Sequence, residues 1–358
     1  MPSGPILCVD DEPNNLALFR QILGEDYRLV FARDGVQALR AAEKHTPSLI
    51  LLDVEMPGMD GYEVAWTLKA QGNTEHIPII FVTSLDREVD ERTGFACGGV
   101  DYITKPVSPF ILRARVNTHL SLVRASALNR SYQDAIQMLG VAGHYNDCDT
   151  GAHIWRMAAY ACALAETVGW PRERAQLLEQ AAPMHDTGKI GIPDDILKKP
   201  GKLTSDEWDV MKRHAHIGFE ILSRSRAPLF QLAAEVALNH HERWDGSGYP
   251  QGLAGEAIPE SARIVAVADV FDALASRRPY KEAWPIDAVI DKIKEGSGTH
   301  FDPAMVDAFL SALPRILQVK AHWDKQEAEF GEKLPDSLAG THAQSGTEIP
   351  PSPAPRPF

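Results

Sequence analysis

Cysteine is scarce. Cys8, Cys97, Cys148 and Cys162 are the only four in 358 residues, and no two stand at CxxC spacing. This argues against a thiolate zinc module or a disulfide framework and fits reduced thiols in the cytoplasm. Long apolar runs are also missing: none approaches the ~18 to 20 residues that span a bilayer, and no signal peptide opens the chain. Positive charge is in deficit, with 36 Lys and Arg against 49 Asp and Glu and a formal net charge of −13. With no helix-turn-helix stretch and no basic stripe, that balance argues against nucleic acid as a partner. Periodicity and apolar content fail at the far end, where residues 334–358 close on GTEIPPSPAPRPF, a composition that predicts disorder.

What is present divides in two. Over residues 1–120 the apolar runs ILCV, YRLVFA, LILLD, IIFVT and DYIT alternate with amphipathic segments such as NNLALFRQIL and GVQALRAAEK. Five such units predict an α/β domain with a doubly wound, five-stranded parallel sheet. Ligands bind such sheets at the carboxyl ends of the strands. There the sequence places Asp10 and Asp11, Asp53, Thr83 and Ser84, and Lys105 just before Pro106. One acid at a strand end is ordinarily a helix cap, but three carboxylates with a hydroxyl and a lysine make a magnesium and phosphoryl pocket.

The second half carries histidine and aspartate in helix-compatible positions. HDTGKIGIPD contains the adjacent pair His185 and Asp186, with Lys189 one turn on. An imidazole beside a carboxylate can serve neighbouring cations, and a lysine there can meet a phosphate. His153 opens the helical stretch HIWRMAAYACALAETVG, and Asp149 stands one turn before it. His214 lies on a stripe with Trp208, Met211, Gly218 and Leu222, behind a Thr204/Glu207 capping box, which predicts that it points inward. His240 and His241 follow a second inward stripe that begins at Pro228. Asp269 interrupts the apolar ARIVAVADVFDALA, where a carboxylate is costly unless paired or metal-bound. Each has an ordinary structural explanation alone; together they point to a metal centre for phosphate chemistry. Four of the ligand-bearing segments read as helices. Between the halves, residues 107–140 keep three-to-four spacing of Leu112, Val116, Leu120, Val123, Ala127 and Ile136, which predicts one long linker helix and, through its apolar seam, a homodimer.

The segments TGAHIWR, HDTGKIGIPDDILKKPGKLT, MKRHAHIG, NHHERWDGSGYPQGL, ARIVAVADVFDALASRRPYK and GTHFDP resemble the HD-GYP branch of the HD phosphohydrolase superfamily, which hydrolyses cyclic di-GMP. The resemblance implies an all-α domain over 141–325 and metal binding by His153, His185, Asp186, His214, His240, His241 and Asp269. Asp149 stands where trinuclear members have a Glu, leaving two and three divalent ions both open. Histidine and carboxylate ligands without Cys favour iron or manganese, with nickel and zinc also open. The resemblance also implies a catalytic role for Lys189 together with the bridging Asp186. Arg278 and Lys281 would take the second phosphate. The GYP loop, Gly248, Tyr249 and Pro250, would have Tyr249 in a structural role and would be a contact for diguanylate-cyclase-type partners. In the DGSGYP turn, Gly246 and Gly248 permit positive φ.

The first half, through VDDEP, LLDVEMPGMDGYE, IIFVTS and DYITKPV, is similar to the response-regulator receiver domain, a flavodoxin-like fold. That resemblance implies Asp53 as phosphoacceptor from a sensor histidine kinase. Asp10, Asp11 and the backbone carbonyl of Glu55 would be magnesium ligands, with Thr83, Lys105 and Tyr102 as the switch. The expected output is cyclic di-GMP hydrolysis to pGpG or on to GMP. Two alternatives stand beside it: a module that binds cyclic di-GMP without turnover, and a phosphodiesterase for another cyclic dinucleotide such as cyclic GMP-AMP.

Overall fold

The computed structural model describes residues 4–84, 94–144, 151–276 and 282–330. It separates into two compact units, Met1–Ser131 and Tyr132–Phe358. Asp149, Cys148, Arg278, Lys281 and the tail 334–358 lie outside the described residues.

In the first unit β1 (Ile6–Val9), β2 (Leu29–Ala32), β3 (Leu49–Asp53), β4 (Ile79–Thr83) and β5 (Asp101–Thr104) form one parallel sheet in the order β2-β1-β3-β4-β5. Helices α1 (Pro13–Leu23), α2 (Gly35–His45) and α3 (Gly61–Lys69) fill the crossovers. The five runs read from sequence are the five strands, and the doubly wound sheet is as expected. Strands buried on both faces read as continuous apolar runs. One face packs Leu7, Val9, Ile50 and Leu52 against Ala38, Val64 and Leu68; the other packs Cys8, Leu49 and Leu51 against Phe19, Leu23, Leu112 and Val116. Asp60 caps α3 with a capping box completed by Glu63, which fixes the turn that follows Asp53.

Helix α4 (Pro109–His144) is the expected long helix, but it starts after Ser108 and runs past Gly140. Gly140 does not end it because that glycine is a packing contact: a Cβ there would meet Pro183 Cβ at 3.2 Å. Leu112, Val116 and Leu120 are buried in the receiver core and Ile136 in the second unit. Along the stretch between them Leu122 and Leu128 are exposed.

The second unit is helical. It comprises α5 (Gly151–Thr167), α6 (Arg172–Ala181), two short 3-10 turns (Ala182–Met184 and Thr187–Gly191), α7 (Asp194–Leu197), α8 (Ser205–Leu222), α9 (Pro228–Asn239), α10 (Glu260–Ala275), α11 (Ile286–Glu295) and α12 (Pro303–Phe330). Its core gathers Tyr160, Leu164, Leu178, Ile264, Val267, Phe271, Val306 and Phe309 from α5, α6, α10 and α12. Thr204 and Glu207 make the capping box that starts α8, and Pro228 starts α9, both as read from sequence. One expected inward residue of α8 is not inward: Trp208 is 47% exposed, while His214, Gly218 and Leu222 on the same stripe are buried. Trp208 lies in the first turn, before α8 enters the core, and its ring meets Tyr249 edge-on at 6.2 Å.

Candidate metal centre

Asp186 is the hub. It sits between the two 3-10 turns and is buried with His185. Its two carboxylate oxygens face different donors. Oδ1 lies 3.4 Å from His214 Nε2 and 3.6 Å from His240 Nε2, while Oδ2 lies 3.2 Å from His185 Nε2 and 2.7 Å from Lys189 Nζ. His241 completes a group in which Asp186, His214, His240 and His241 each offer a ligand atom, all within 4.8 Å of one another. A second set lies on α5 and α10, where His153 Nε2 is 3.8 Å from Asp269 Oδ1.

The ring orientations follow from hydrogen bonds on the far side of each imidazole. His185 donates Nδ1–H to the Ala182 carbonyl at 2.9 Å, His214 to Met211 at 2.8 Å and His240 to Val236 and Ala237 at 3.1 Å. These carbonyls lie three or four residues back in helix or 3-10 turn, within reach of an imidazole. For His214 and His240 the proton fixed on Nδ1 leaves the Nε2 lone pair facing the centre, the ligand-competent tautomer; His185 reaches the same form on losing its second proton. Asp186 Oδ1, His214 Nε2 and His240 Nε2 are buried without a hydrogen-bond partner among the described residues. Converging orphan acceptors of this kind are costly in an apolar interior and are what a cation would satisfy, so the residues fit a divalent metal.

Charge supports the same assignment. Burial lowers His214 to about 4 and, with His240 and His214 beside it, pushes His241 well below its usual value, so both are neutral imidazoles near pH 7. Burial also works to lower His185, but Asp186 outweighs it and raises His185 to about 9. Burial opposes ionisation of Asp186, yet Lys189 and His185 hold it well below the carboxylate range. Without a metal, Lys189 and a protonated His185 thus supply the counter-charge to Asp186 Oδ2.

Two residues that orient the set escaped the sequence reading. Asp272 is fully enclosed, accepting from His153 Nδ1 at 2.5 Å and from Arg156 Nη2 at 2.9 Å, which turns His153 Nε2 toward Asp269. The signal was present: Asp272 follows Asp269 by three residues in the same apolar helix, and Arg156 follows His153 by three. The GYP loop also departs from expectation. Gly246 has φ +79°, but Gly248 has no positive φ and is required for space, since a Cβ there would lie 2.4 Å from Arg243 N.

In the first unit Asp10, Asp11 and Asp53 bring carboxylate oxygens together at the carboxyl ends of β1 and β3. Lys105 Nζ reaches Asp53 Oδ2 at 2.7 Å and Asp10 Oδ2 at 3.0 Å. Glu55 N donates to Asp53 Oδ1 at 3.4 Å, and Thr83 is buried at the end of β4. Burial, aided by Asp10 and opposed by Lys105, raises the Asp53 carboxyl above its usual value. Tyr102 is half-buried, edge-on to Phe95 at 6.3 Å.

A parallel sheet with an acidic pocket, followed by helices around a His/Asp centre, defines a receiver joined to a metal-dependent phosphohydrolase fold. The receiver-domain family matches residues 6–117 and the HD-domain family residues 123–305. The cyclic di-GMP phosphodiesterase response regulator RpfG of Xanthomonas campestris is 41% identical over 91% of this chain and 92% of its own length. A probable cyclic di-GMP phosphodiesterase of Vibrio cholerae is 40% identical over 90% of this chain and 81% of its own. A 3'3'-cGAMP-specific phosphodiesterase 2 from the same species is 42% identical over 54% of this chain and 37% of its own. The chain belongs to the response regulators that pair an N-terminal receiver with a C-terminal HD-GYP domain, the cyclic di-GMP phosphodiesterase family. Among the described residues no helix is long and apolar enough to cross a membrane.

Proposed function

We propose that this chain hydrolyses cyclic di-GMP to linear pGpG, and on to GMP, under control of phosphorylation at Asp53. The observation that carries the reading is Asp186, a buried carboxylate whose Oδ1 faces His214 and His240 while its Oδ2 faces His185 and Lys189. Asp186, His214, His240 and His241 would hold one divalent ion, and His185, His153 and Asp269, with Asp186 shared, a second. When bound, such ions supply Lewis acidity and lower the pKa of a water. Iron and manganese suit the donor set.

The chain's own residues do the rest. Asp186 fixes the spacing of the two donor groups. Lys189, whose ammonium is 2.7 Å from Asp186 Oδ2 and partly exposed, stands where it can stabilise charge developing on the phosphoryl oxygens. Burial excludes bulk water around His185 and Asp186 and strengthens these interactions. Arg278 and Lys281 are proposed to bind the second phosphate. At the receiver, Asp53 takes the phosphoryl group from a sensor histidine kinase, Asp10, Asp11 and the Glu55 carbonyl hold magnesium, and Thr83, Tyr102 and Lys105 respond. The protein is proposed to act in the cytoplasm as a homodimer, with the GYP loop as a docking point for diguanylate-cyclase-type proteins.

Similarity to a 3'3'-cGAMP-specific enzyme supports a second substrate reading. One experiment separates them: iron- or manganese-loaded protein is incubated with cyclic di-GMP, cyclic GMP-AMP and cyclic di-AMP, and the products are resolved by mass. Preferential conversion of cyclic di-GMP to pGpG is expected. Binding without product would make the domain a receptor, and preference for cyclic GMP-AMP would reassign the substrate.

A further inference from the structure

The imidazoles around Asp186 are not held alike. Those of His185, His214 and His240 are fixed by Nδ1–H donation to main-chain carbonyls, and that of His153 by Asp272. The ring of His241 makes no hydrogen bond among the described residues, although it belongs to the same four-ligand group. Besides the fellow imidazoles of His240 and His214, what lies against it is Tyr249. The two rings stack with centroids 4.7 Å apart and planes 30° apart, and Tyr249 N donates to the His241 carbonyl at 3.2 Å. Trp208 closes the outer side of Tyr249 edge-on.

The loop that carries Tyr249 is tied to the residue after His241. Glu242 is 2% exposed, and its carboxylate accepts from Gln251 N at 2.7 Å and from Leu253 N at 3.0 Å. It makes no salt bridge among the described residues, so these two amides are its compensation for burial. Gly248 lets the loop fold directly onto the backbone of residues 241–243. The His241–Glu242 segment therefore holds the loop by its carboxylate, and the loop holds the imidazole by its aromatic ring.

We propose that Tyr249 is the positioning residue for His241, replacing by stacking the hydrogen bond that its neighbours have, and that Glu242 is the anchor that keeps Tyr249 in place. This rests on the metal-centre reading above. Partners that orient a metal-ligating histidine typically change metal affinity by about 10- to 100-fold when removed.

The test uses full-length protein stripped of metal and titrated with Mn(II) alone, followed by electron paramagnetic resonance, with circular dichroism to establish folding. Tyr249→Leu should weaken Mn(II) binding by on the order of 10-fold or more. Tyr249→Phe, which keeps the ring and loses only the hydroxyl, should restore wild-type affinity. Glu242→Gln, which sets an amide N–H against one of two donors, should weaken binding in the same direction. Wild-type Mn(II) affinity in folded Tyr249→Leu and Glu242→Gln would overturn the proposal, as would equal losses in Tyr249→Phe and Tyr249→Leu. His241→Ala separates the two levels. If it loses Mn(II) while Tyr249→Leu does not, only the positioning role fails; if wild type and His241→Ala bind alike, the ligand assignment fails and the positioning role with it.

Discussion

Asp186 concentrates more of the chemistry than any other residue, because both of its oxygens are in use and both are buried. Asp186→Ala leaves His185 and Lys189 without their counter-charge and removes the shared ligand. Metal content and turnover should fall together, which elemental analysis and product assay measure side by side. Lys189→Ala differs in kind. It removes a positive charge that competes with a cation for Asp186 Oδ2, so metal content should be retained while turnover drops by on the order of 10²-fold. Asp101, away from both clusters, sets a pH dependence. Burial opposes its ionisation, but Arg115, His119 and the Tyr102 amide outweigh burial and hold its carboxyl below the usual 3.8. A depressed folded-state value gives stability that is present above the unfolded value and lost as pH falls through the folded one. Asp101→Asn should thus cost stability at neutral pH and lose less on acidification below about pH 4 than wild type, as read from urea unfolding across a pH series.

At the scale of elements, the last turn of α4 carries a prediction of its own. Gly143 lies against the turn that bears His185 and Asp186: a Cβ there would sit 2.9 Å from Thr187 Cα and 3.3 Å from the Asp186 carbonyl carbon. Backbone cannot yield as a side-chain tip does, so Gly143→Ala must displace either the helix end or the His185–Asp186 turn, at about 1–3 kcal/mol. Mn(II) affinity and turnover should both fall, with Gly140→Ala the milder variant because its nearest neighbour is a side-chain carbon. No period in the sequence announced this contact. The sheet was legible because apolar strands punctuated by acids leave few alternatives, and the convergence of His214, His240 and His241 on Asp186 because polar residues on apolar stripes need a reason. Asp272, Glu242 and Gly143 were harder to read: each matters through a neighbour that folding brings in from elsewhere in the chain. Trp208 was misread because a helical stripe does not say where along its length the core begins.

For the whole molecule the question is how a phosphoryl group proposed for one unit would alter a reaction on the other. Lys105 pairs with Asp53 in the pocket proposed to receive the phosphoryl group, and α4 is one continuous helix from Pro109 to His144. Phosphorylation is expected to draw Thr83 and Lys105 toward the new charge and to act through that helix. Wild-type protein treated with beryllofluoride should change its hydrolysis rate and sedimentation, and Asp53→Ala should do neither; an unchanged wild type would make the receiver a docking module. The two clusters also differ in charge balance once each takes a divalent ion. Three carboxylates and Lys105 leave the receiver pocket close to neutral, so every charge on an incoming phosphoryl group is in excess and the surroundings must move to absorb it. One carboxylate among three neutral imidazoles leaves the other centre with a net positive charge, inside a chain that is −13 overall. That centre can draw in an anionic diester without rearranging, which is what a site built for repeated turnover requires and a switch must avoid.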